Sequence, residues 1–115
     1  MPKLPNAERA VADIEKLRDY SLNPKHVEGQ RKARVFQSAL GFTQADAATL
    51  REMVLEAART QEATPSKLIA HSQMYVVDFV APGLREPVLI RTAGIVETDT
   101  DYPRLVTCYV KGKEK

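Results

Sequence analysis

Apolar residues recur at helical spacing through the first half of the chain and alternate with polar ones after Ser66. Val11, Ile14 and Leu17 form one stripe, and Tyr20 extends it. Pro2 and Pro5 make the residues before Ala7 an extended lead-in. Residues 7–12 admit two readings, helix or extended chain, and Asp13 is placed to cap a shorter helix that starts at Ile14. Asn23-Pro24 is a turn signal that ends this helix. A second helix is predicted over residues 28–40. Ala33, Phe36 and Leu40 line one of its faces, Val35 and Ala39 lie beside them, and Gly29 sits near its start. Gly41 supplies the stop. The third helix opens at Thr43, with Asp46 at the capping-box position. Ala47, Leu50, Val54 and Ala57 then follow at helical spacing, fading near Gln61. Thr64-Pro65-Ser66 reads as loop.

Beyond this loop the period becomes two and β-forming residues dominate. Tyr75, Val77 and Phe79 alternate against Val76 and Asp78, and Pro82-Gly83 is a turn. Residues 88–96 form the next strand, 97–103 a polar connection and 105–110 the last strand; 67–71 allow a short extra one. In the last strand Val106, Cys108 and Val110 share the side expected to face the core, leaving Thr107 and Tyr109 outside. The expectation is an α+β domain spanning residues 1–115. Two or three N-terminal helices would pack on one face of a three- to four-stranded antiparallel sheet.

Composition narrows this little. With 115 residues and 43% apolar content the chain suffices for one core. Its 17 Lys and Arg against 15 Asp and Glu permit an RNA partner without indicating one. Lys25, Arg31, Lys32 and Arg34 form one basic cluster, and Lys111, Lys113 and Lys115 a basic tail; both have the composition of solvated surface. The lone cysteine, Cys108, excludes an intrachain disulfide and reads as a buried small hydrophobe. No apolar stretch resembles a signal peptide or reaches membrane-spanning length, so a reducing cytoplasmic setting without membrane contact is expected.

Strong local motifs are absent: there is no phosphate-binding glycine loop, no Cys/His metal spacing and no nucleophile elbow. Individual residues remain. His26 lies between a proline turn and a helix start, where an imidazole serves either as a proton carrier or as a surface or capping residue. His71 has no such context. Lys32, one turn before Phe36, either lays its stem along the core or holds a cation for a phosphate. Arg91 interrupts an apolar strand and must face solvent, a partner or a site. Thr107 and Tyr109 share its face if the strands pair in suitable register, whereas Asp78 is assigned only to the surface.

Leu4-Pro5-Asn6-Ala7-Glu8, Lys16-Leu17 with Tyr20, Leu22-Asn23, His26 with Gly29, and Lys32-Ala33 with Phe36 resemble a family of small bacterial domains. Tyr75 with Val77-Asp78, Arg91-Thr92, and Pro103-Arg104-Leu105 with Thr107 and Tyr109-Val110 continue the likeness over nearly the whole chain. Such domains look like the C-terminal tips of contact-dependent-inhibition and other polymorphic toxins, and like the toxins of toxin–antitoxin pairs. The resemblance implies a fold similar to the barnase–EndoU–colicin–RelE group of ribonucleases. It also implies RNA, tRNA included, as substrate, an antitoxin or immunity protein as partner, and no metal or other cofactor. Under it, His26 is the general acid/base, and Lys32 and Arg91 stabilise phosphate charge during attack by the neighbouring 2′-hydroxyl. Thr107 orients the phosphate or a catalytic side chain, while Tyr109 and Thr92 contact substrate. The chain departs from the family pattern at Gly94, where tryptophan is expected, and at Val27, where proline is common. Gly94 and the small net charge of +2 favour a second reading, a non-catalytic protein-binding module of immunity or antitoxin type, using its open sheet face for a partner.

Overall fold

The computed structural model describes residues 6–27, 29–69, 72–97 and 101–113. His71 and the first five residues lie outside the described residues, as do Glu28, where the second helix was expected to start, and much of the 97–103 connection. Residues 7–12 combine both readings of the sequence. A 3₁₀ turn at Ala7–Arg9 is followed by extended chain, in which Val11 forms a parallel bridge with Arg104. Helix α1 (Ile14–Lys16) starts after Asp13 and widens into a π-helical turn, Leu17–Ser21. Leu17, Ser21 and Leu22 are buried there.

Helix α2 (Gln30–Leu40) starts two residues later than its apolar pattern suggests, with Gly29 in the N-cap position and Gly41 (φ 77°) closing its C-terminus. Ala33, Phe36 and Leu40 are its buried residues, and Val35 faces out. Thr43 and Asp46 form the capping box, through Ala45 N–H to Thr43 Oγ1 (3.3 Å) and Thr43 N–H to Asp46 Oδ2 (2.8 Å). After a 3₁₀ turn, Gln44–Asp46, comes helix α3 (Ala47–Thr60), which buries Ala47, Leu50, Val54, Ala57 and Ala58.

Four strands follow: β1 (Ala63–Ile69), β2 (Ser72–Ala81), β3 (Val88–Val96) and β4 (Arg104–Lys113). They form one antiparallel sheet in the order β1-β2-β3-β4. Thr64-Pro65-Ser66, expected as loop, is part of β1: an edge strand accommodates a proline, and the pairing is irregular between Pro65 and Leu68. Helix α2 packs toward β4 and α3 toward β2. The face under the helices carries Val77, Phe79, Ala81, Val88, Ile90 and Thr92, all buried.

Strand β4 departs from simple alternation. Gly94 pairs with Leu105 but Ala93 with Thr107, so Val106 is an extra, bulged residue. Of the expected core set, Cys108 is buried and Val110 packs against the core, whereas the placement of Val106 is corrected. The bulge turns Leu105 and Cys108 inward together, and Val106 is 37% exposed.

Gly29 secures the geometry at the start of α2. A Cβ at this position would lie 2.1 Å from the Tyr20 carbonyl oxygen, a backbone atom with no room to yield. The expected result of Gly29→Ala is a loss of about 1–3 kcal/mol of stability, the usual range for overpacking. Urea denaturation monitored by circular dichroism measures it.

Candidate functional site

The turn before α2 is built by its own polar groups. Asn23 Oδ1 accepts from Lys25 N–H at 3.0 Å, and the His26 N–H donates to the Asn23 carbonyl at 3.2 Å. This brings His26 Nδ1 to 3.1 Å from the Gly29 N–H, from which it accepts. An imidazole that accepts at Nδ1 carries its neutral-state proton on Nε2, a tautomer assigned from this hydrogen bond. His26 is thus held in the turn that leads into α2, on the N–H of its N-cap residue.

Tyr20, on the π-helical turn, lies against the His26 ring, with centroids 4.7 Å apart and planes inclined by 31°. Lys32, in the first turn of α2, reaches the same tyrosine. Its Nζ lies 3.3 Å from Tyr20 Oη and 4.7 Å from the ring centroid. It also lies 5.9 Å from the Tyr109 ring on β4, so the ammonium sits between two aromatic faces. On the open face of the sheet, Tyr109 pairs with Arg91, and Arg91 with Asp78. Arg91 Nε and an Nη donate to the two Asp78 carboxylate oxygens, both at 2.8 Å. Asp78 holds the Arg91 guanidinium above its ordinary value, and Tyr109 adds to the effect. Both side chains of the pair are 30% exposed. They also border a polar groove of about 510 Å³ with Gln61, Thr64 and Ser66.

His26, Lys32, Tyr109 and Arg91 are therefore linked through contacts that start at the α2 turn and cross the β4 edge onto the open face. Two members were not among the sequence-derived candidates, Tyr20 and Asp78. Tyr20 showed only as an extension of an apolar stripe. Asp78 alternated away from the core, but nothing in the sequence sets the register that places it opposite Arg91. Thr92 does not join the row. It faces the core, and its hydroxyl donates to the Val77 carbonyl at 2.9 Å, which corrects its assignment to substrate. Thr107 is on the open face beside Tyr109, but its Oγ1 is buried and has no partner among the described residues. Gly94 is also remote from the row. It faces the helices and lines a small apolar cavity of about 30 Å³ with Val54, Leu55 and Tyr75. The residue in this position affects packing, not the row. Among the described residues no group of three or more His, Cys, Asp and Glu is placed to hold a metal ion, and no helix is long and apolar enough to cross a membrane.

The architecture is a helical layer preceding a four-stranded antiparallel sheet, with polar and aromatic side chains gathered where the layer meets the β4 edge. The chain belongs to the family described as domain of unknown function DUF6883, whose model matches residues 3–112. No curated protein and no solved structure matches it.

Two outcomes follow from the buried groups. Removal from water pushes the Cys108 thiol up to about 12, against the opposing charge of Lys32. The folded state holds this proton more tightly than the unfolded chain, whose thiol titrates near the ordinary value of 9.0. The contribution is therefore complete below that value and is lost as pH rises toward 12, by about 1.4 kcal/mol per pH unit at the steepest. The difference between wild type and Cys108→Ala in stability against pH isolates it. Thr107→Val replaces an unsatisfied hydroxyl by a methyl group and is expected to raise stability by about 1 kcal/mol in chemical denaturation.

Proposed function

We propose that this chain is a toxin-like ribonuclease domain that cleaves RNA without a metal, by attack of the 2′-hydroxyl on the adjacent phosphate. A cognate inhibitor protein would hold it in check. The observation that carries this reading is the row in which His26, Lys32 and Arg91, from three different elements, are joined through Tyr20 and Tyr109. Cations alternating with aromatic rings suit a flexible single strand, whose phosphates need positive charge and whose bases stack on rings. In the reaction His26 takes the 2′-hydroxyl proton as the 2′-oxygen bonds to phosphorus; the bond to the 5′-oxygen breaks and that oxygen takes up a proton from solvent. Lys32 and Arg91 are the groups placed to offset charge on the phosphate.

A second reading, RNA binding without cleavage, is favoured by the hydrogen bond at His26. Nδ1 accepts from the Gly29 amide, so an imidazolium, which needs a proton there, would oppose this contact. The Asp78 carboxylate likewise neutralises much of the Arg91 charge.

Purified chain incubated with single-stranded RNA in EDTA separates the two readings. The cleavage reading expects fragments ending in 2′,3′-cyclic phosphate, with a loss of about 10²-fold or more in His26→Ala and Lys32→Ala. Binding by fluorescence anisotropy that needs Lys32 and Tyr109, with the RNA left intact, supports the second reading. Wild-type protein that neither cleaves nor binds RNA overturns both.

A further inference from the structure

A groove at the far end of α2 takes no part in the row of His26, Lys32 and Arg91. Its floor is apolar, formed by Val35 and Ala39 of α2, Val88 of β3 and Val110 of β4, with Arg85 and Glu86 on one wall. It encloses about 350 Å³. Val35 is 43% exposed within it. Leu84, 65% exposed, is fastened nearby, its N–H donating to the Ala39 carbonyl at 2.8 Å.

Arg85 lines this groove, and three further exposed cations lie on the elements that form it. Arg31 lies one helical turn before Val35, Arg34 one turn before Ser38, and Lys111 follows Val110 at the second bulge of β4. Among the described residues Arg31, Arg34, Arg85 and Lys111 make no ion pair. Elsewhere on the surface arginines are neutralised locally, as in Arg9–Asp101, Arg59–Glu56 and Arg104–Glu97. An apolar floor with four cations and one carboxylate, Glu86, beside it calls for apolar groups flanked by negative charge.

We propose that this groove docks a segment of a partner protein that bears two or three apolar side chains flanked by Asp or Glu. Bare phosphodiester would satisfy the cations but leave the apolar floor at Val35 in water, so the observations favour an acidic amphipathic peptide over RNA. The inference is independent of what the row of His26, Lys32 and Arg91 does.

Amide resonances of the ¹⁵N-labelled chain are followed while three probes are added. They are a 14-residue amphipathic peptide of leucine and glutamate, the same peptide with lysine for glutamate, and octauridylate. The leucine–glutamate peptide is expected to shift resonances of the last two turns of α2 and of residues 84–88, with Kd on the order of 100 µM. Val35→Asp, at an exposed position, is expected to weaken this at least ten-fold while the remaining spectrum stays folded. Ser38→Asp, at another exposed position of the lining, is the second variant and is expected to do the same. Arg31→Glu with Arg34→Glu is expected to transfer the preference to the lysine peptide. The proposal is overturned by failure of the leucine–glutamate peptide to bind at these residues, by equal binding of the lysine peptide, by indifference to both aspartate variants, or by octauridylate displacing the peptide from the groove. Val35→Asp is expected to leave any action on RNA unchanged, so loss of peptide docking and absence of RNA activity are read separately.

Discussion

Where Gly29 meets the carbonyl of Tyr20, two segments of backbone touch with no side chain between them. The rest of the site hangs from this contact. It closes the 23–29 turn against the π-helical segment and lays the His26 ring on Tyr20. It also starts α2 at the point from which Lys32 reaches the two tyrosine rings. The wider π-helical turn helps, because its extra residue presents Tyr20 toward α2 while Leu17 and Ser21 remain buried behind it. A fold whose layers met here through side chains would set these groups farther apart.

The sheet divides its residues by physical role. One face lies under the helices and buries Val77, Phe79, Ile90 and Cys108; the other carries Asp78, Arg91 and Tyr109 across three neighbouring strands. The bulge at Val106 lets β4 serve both faces. It gives Leu105 and Cys108 to the core and still directs Thr107 and Tyr109 outward. The pairing of Arg91 with Asp78 fixes the guanidinium plane and limits the positive potential it offers to a ligand. The functional question turns on this balance. The same row that gathers cations and aromatic rings also restrains them, His26 by an amide and Arg91 by a carboxylate.

Basic character is distributed in two places with different company. Around Lys32 it stands among aromatic rings, which suits stacked bases. Around Val35 it stands among aliphatic side chains, which suits the apolar face of a peptide. Helix α2 supplies both, with Lys32 and Val35 nearly a turn apart, so one short helix joins the site to the docking groove.

The order of elements and most of the buried set were legible in the sequence because they follow from local rules. Phe36 and Leu40, and Leu50 and Val54, lie at helical spacing; Thr43 and Asp46 form a cap within four residues; Val77 and Phe79 alternate. His26, Lys32, Arg91 and Tyr109 stood out one at a time, each as a residue type in an unusual setting. Their linkage did not, because pairing register and layer contact join residues far apart in the chain. Arg91 meets Asp78 across the β2–β3 turn and Tyr109 across the 97–103 connection, and neither connection encodes the offset. The same holds for the bulge that moved Val106 outward and for the inward turn of Thr92. Sequence alone determined the order of helices and strands, though not the start of β1 at Ala63, and which residues had chemistry to offer. Tertiary structure decided which of those residues touch, because contact between distant residues is set by how complete elements pack and not by any pattern within one of them.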